Sequence, residues 1–65
     1  MICQTLEEAQ ALEAKAWAEH KRIVPDTQAV RWAEISQRED GRFEFPIEEH
    51  LRAAFTVQEW QRIER

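Results

Sequence analysis

"SQREDGRFEFP", Ser36 to Pro46, decides the fold, because it holds the only glycine of the 65 residues and two of the three phenylalanines. Gly41 either ends a helix begun at Asp26 or Thr27, or turns the corner of a β-hairpin. Two features favour the hairpin. "RFEF" after the glycine alternates polar and aromatic residues at the period of a strand, and "AVRWAEIS" before it concentrates Val, Trp and Ile in a short run. Loop length then sets which side chains share a face. A two-residue Asp40-Gly41 turn would put Ser36 opposite Phe45 and Glu34 opposite Ile47, polar residues against an aromatic face. A three-residue loop, Glu39-Asp40-Gly41 with Gly41 at positive φ in a bulge, instead pairs Ile35 with Phe45 and Ala33 with Ile47. A five-residue loop has the same parity. The inner face is therefore expected to hold Ala33, Ile35, Phe43, Phe45 and Ile47. Val30 and Trp32 fall on the other face with Glu34, Ser36, Arg42 and Glu44, where a helix or another molecule must cover them.

Outward from the hairpin, Thr5-Leu6-Glu7-Glu8 has the spacing of a capping box, so a helix is expected to start at Leu6. Leu6, Ala9, Leu12, Ala16, Trp17, His20 and Ile23 fall on one arc of its wheel. His20, Lys21 and Arg22 suit its carbonyl end, and Pro25 forbids continuation, placing the end near Arg22. After Pro46, "IEEHLRAAF" predicts a short helix burying Ile47, Leu51, Ala54 and Phe55. Thr56-Val57-Gln58-Glu59 repeats the capping-box pattern, so a last helix is expected from Val57 to about Glu64, presenting Val57, Trp60 and Ile63. The class is α+β in one small domain, residues 1–65: an N-terminal amphipathic helix, a central antiparallel hairpin and one or two short C-terminal helices. There is no internal repeat, low-complexity tract or linker.

Composition bounds the function. With 43% hydrophobic and 34% charged residues the chain is built to fold. At this length, however, a domain buries only about 60% of the surface its unfolded form exposes. A single cysteine, Cys3, rules out an internal disulfide. Association with a second copy is the remaining staple, and a reducing, cytoplasmic setting is expected. The first ten residues lack the basic and apolar regions of a signal peptide, and no apolar run approaches a membrane span. The net charge of −4, with signs interspersed, disfavours direct nucleic-acid binding, which needs a basic stripe.

Chemistry finds little purchase. Cys3, His20 and His50 are scattered without metal-ligand spacing, and "EEH" at Glu48 to His50 lacks the second histidine of a helix-borne pair, so no metal or cofactor is expected. His20 is expected to be a partly buried packing residue and His50 to be exposed. Cys3 sits where chains are normally mobile, with no local base, and no catalytic residue is assigned. The acid pairs Glu7/Glu8, Glu39/Asp40 and Glu48/Glu49 are explained by a cap, a turn and a solvated helix start. Trp17 and Trp60 are assigned to the core. Trp32 is the best candidate interface anchor, with Val30, Glu34, Arg42 and Glu44 beside it. Glu13, at the edge of the apolar arc, either reaches solvent or a nearby Arg or pairs with a charge across an interface.

Trp32-Ala33-Glu34, Asp40-Gly41-Arg42 and Phe45-Pro46, within the stretch from Val30 to Glu64, resemble very small phage and prophage reading frames of unknown function. That resemblance implies a non-enzymatic accessory protein and, since such proteins often inhibit host machines, as anti-CRISPR proteins do, a host protein as partner. The first expectation is thus a protein–protein interaction module, with a homodimer covering the Val30/Trp32 face or pairing hairpin edges. An alternative is an acidic DNA mimic using Glu7, Glu8, Glu34, Glu39, Asp40, Glu44, Glu48 and Glu49. A third, a small helical DNA-binding protein, requires "TQAVRWAEI" to be helical.

Overall fold

The computed structural model describes residues 1–61; Ile63 and the expected carboxyl end of the last helix lie outside them. In chain order the elements are β1 (Ile2–Cys3), α1 (Leu6–Ile23), β2 (Ser36–Gln37), β3 (Phe43–Glu44), a 3-10 helix (Glu49–Ala54) and α2 (Val57–Trp60). The class is α+β, as expected, with one strand more than the sequence pattern declares.

Ser36 faces Glu44 and Gln37 faces Phe43. The Arg38 N–H donates to the Arg42 carbonyl at 2.7 Å, and the Gly41 N–H to the Arg38 carbonyl at 3.0 Å. This is the register of the three-residue loop, with Gly41 at φ +87°, the one positive φ among the described residues. Asp40 braces the loop by accepting from the Arg42 backbone N–H at 3.0 Å and from its guanidinium at 2.7 and 3.0 Å. The inner face is as predicted: Phe45 is buried, and Ala33, Ile35, Phe43 and Ile47 pack against the core.

The strand before the loop is shorter than "AVRWAEIS" suggests. Residues 28–35 are neither strand nor helix. The cause is Trp32. Kept in an outward strand position, its ring would stand in water; instead it is half-buried against the core, and its indole N–H donates to the Pro46 carbonyl at 2.7 Å. The expectation that Trp32 shares an outer face with Val30 is therefore corrected: the chain covers Trp32 itself, while Val30 remains 80% exposed.

The added strand is β1, which pairs antiparallel with β3, Ile2 facing Glu44 and Cys3 facing Phe43. The sheet order is β1-β3-β2, so β3 has partners on both sides. Met1 extends the pairing: its amino group donates to the Phe45 carbonyl at 2.9 Å, and the Phe45 N–H donates back to the Met1 carbonyl at 3.1 Å. Cys3, expected at a mobile position, is 1% exposed.

α1 begins where the cap predicts, with Thr5 Oγ1 accepting from the Glu8 N–H at 3.1 Å. It ends at Ile23, one residue past the expected point, where the Val24 N–H closes on the His20 carbonyl before Pro25. Its inner stripe of Ala9, Leu12 and Ala16 is buried. The two alanines leave room for the sheet and the 3-10 helix to lie close. Leu51, fully enclosed, and Phe55 fill that space, and each such burial stabilises the fold by roughly 1.5–3 kcal/mol. In α2 the complete capping box forms between Thr56 and Glu59, and Trp60 is buried, but Val57 faces outward. Glu59 also receives Lys15 Nζ at 2.9 and 3.0 Å, tying α2 to α1. Among the described residues no helix is long and apolar enough to cross a membrane.

Candidate functional site

The last turn of α1, the stretch around Trp32 and the 3-10 helix converge on a cluster of four rings. Trp17 stacks beside His20 at 6.1 Å between centroids, one helical turn apart on α1. Trp32 lies 5.2 Å from His20 and 5.6 Å from His50. The two imidazoles meet in a T-shaped contact, centroids 5.6 Å apart and planes inclined at 65°, with His20 Nδ1 3.4 Å from His50 Nε2. On the far side of the His50 ring, Nδ1 lies 3.4 Å from Glu48 Oε2. Lys21 Nζ rests 5.1 Å from the centre of the Trp17 ring. Because the Trp32 N–H is held by Pro46, the indole is a fixed wall for both histidines.

This overturns the reading of the histidines as scattered. Thirty positions separate them, so no local spacing could reveal the pair. The available signal was the orientation of each element: His20 lies on the apolar arc of α1, and His50 precedes the most enclosed residue of the 3-10 helix, Leu51. Trp17, assigned to the core, belongs instead to this cluster and is only half-buried. His50 is exposed, as expected.

The candidate interface residues divide between two places. Glu34 lines an open groove of about 490 Å³ between α1 and residues 31–35, shared with Leu6, Glu13, Arg31 and Ile35. Val30 adjoins it in sequence. Glu13 thus sits in one recess with an arginine of its own chain. Arg42 and Glu44 belong to the hairpin end, where they are engaged internally: Arg42 with Asp40, and Glu44 with Arg38 at 3.1 Å.

Similar pairing engages several other acids. The hydrogen bonds from the Arg42 guanidinium and backbone hold the Asp40 carboxyl at about 2, far below its ordinary value. Lys15, together with the Thr56 N–H, holds Glu59 below the usual carboxylate range. Glu49 lies 3.9 Å from Arg52, and Glu19 pairs with Arg22. Comparison with protein-family models, curated proteins and solved structures finds no match for this chain.

Proposed function

We propose that the chain is a non-enzymatic protein–protein interaction module that docks its partner along the groove between α1 and residues 31–35. The observation that carries this reading is the composition of that groove. Leu6, 43% exposed, and Ile35 supply apolar area; Glu13, Glu34 and Arg31 supply charges of both signs; Val30, next to Arg31 in sequence, is 80% exposed. Apolar area rimmed by polar groups is the anatomy of a protein interface. A surface that carries both signs can also be its own complement across a two-fold axis, which makes a homodimer the simplest form of the module. The resemblance to small phage proteins adds a host protein as the partner of such a module. The non-catalytic part of the reading is supported by Cys3, the one thiol, which lies 1% exposed and out of reach of a substrate.

The other two readings lose ground. A DNA mimic needs a continuous field of unpaired acids, whereas Asp40 and Glu44 carry arginine partners and Glu48 lies against His50. A helical DNA reader needs "TQAVRWAEI" as a helix, and that segment is irregular.

A photo-crosslinking residue placed at position 6, at position 30 or, as control, at exposed Gln58 tests the proposal in the cells that express the protein. Discrete adducts from positions 6 and 30, absent from 58, are expected. No adduct, or equal labelling from all three, would refute it.

A further inference from the structure

We infer that His20 and His50 form a two-point chelating site for a borderline divalent metal ion, of which zinc is the simplest probe. Two imidazole nitrogens bound to one tetrahedral metal at 2.0–2.1 Å lie about 3.3–3.4 Å apart, the edge of the tetrahedron. His20 Nδ1 and His50 Nε2 are 3.4 Å apart. In the metal-free chain the same contact is a long hydrogen bond between the two rings, so a metal would take the place of a shared proton.

Glu48 Oε2 stands 3.4 Å from His50 Nδ1, on the side of the ring turned away from His20. Such a carboxylate behind a histidine is the usual outer partner of a metal-bound imidazole. His20 is held from two sides by Trp17 and Trp32, and Trp32 also backs His50, so little ring freedom is lost when a metal binds. An all-nitrogen pair selects zinc, copper or nickel over the oxygen-seeking magnesium and calcium. Among the described residues no group of three histidine, cysteine or acidic side chains could hold a metal. The remaining positions are thus open to water or to a donor from a bound partner, and the His50 side chain, 35% exposed, leaves them accessible.

Zinc titrated into the intact chain at neutral pH, followed by calorimetry and by side-chain ¹⁵N NMR of the histidines, tests the inference. One ion per chain is expected, with coordination shifts at His20 Nδ1 and His50 Nε2, and with magnesium producing neither. His20→Ala and His50→Ala should each abolish saturable binding, Glu48→Gln should weaken it about ten-fold, and Cys3→Ser should leave it unchanged. Absence of saturable binding, retained binding in both histidine variants, or shifts at the opposite ring nitrogens would overturn it. The NMR arm reads the wild-type protein, so the test survives a variant that fails to fold.

Discussion

Replacing Gly41 isolates the contribution of backbone conformation to this fold. Its φ of +87° lies in the left-handed region, and a Cβ added there would meet no atom within 4 Å. Gly41→Ala therefore introduces no clash with the surroundings, and its whole cost is conformational, about 1–2 kcal/mol for a side-chain-bearing L-residue held left-handed. A domain of this length has roughly 3–10 kcal/mol to lose, at about 0.05–0.15 kcal/mol per residue. Each kcal/mol corresponds to about 4–8 °C in Tm at this size, so the alanine variant should melt roughly 4–16 °C lower. Gly41→Asn should recover part of the loss, because asparagine enters the left-handed region more readily. Thermal melts followed by circular dichroism, with urea titrations beside them, measure the three proteins. An alanine variant melting within about 1 °C of wild type, or an asparagine variant falling below alanine, would refute the assignment of Gly41 as a conformationally required loop residue.

Three further outcomes are expected. Leu51→Ala should cost about 2–5 kcal/mol by opening a cavity at a fully enclosed site, read as a lower urea midpoint; a change under about 1 kcal/mol would contradict the packing. Thr56→Ala should cost about 0.5–2 kcal/mol through loss of its cap on the Glu59 N–H, visible as faster amide exchange at Glu59. The Asp40 carboxyl, depressed by Arg42, contributes stability that is present above its ordinary 3.8 and is lost as pH falls through about 2; a carbon NMR titration should find its midpoint near 2 in wild type and higher in Arg42→Ala.

Much of the fold was legible because its signals were local. A cap at Thr5, a proline at 25, a capping box at Thr56 and a glycine that needs positive φ each act within a few residues. Strand parity was legible as well, since the three-residue loop alone sets Ser36 opposite Glu44 and Gln37 opposite Phe43. It failed at Trp32 because alternation holds only while the backbone stays extended, and a large ring gains more by turning inward. β1 was invisible for a different reason: two residues carry no periodicity, and their partner lies some forty positions away. Of the candidate site, Glu13, Val30 and Glu34 were singled out one by one, but no local pattern joined Glu13 and Leu6 on the first helix to Glu34 in one groove. The histidine pair was equally hidden, because its geometry is created by packing between elements that share no local spacing.

The central position of β3 has a consequence for how the chain is made. Cys3 must wait for Phe43, forty positions later, before its strand has a partner. At roughly 5–20 residues per second of synthesis, that wait is about 2–8 s. The hairpin, by contrast, closes on itself in about 1–10 µs once its loop has emerged. The strand that holds Cys3 is thus made well before the strand that secures it. During that interval the thiol that ends up most thoroughly enclosed is open to every oxidant in its surroundings.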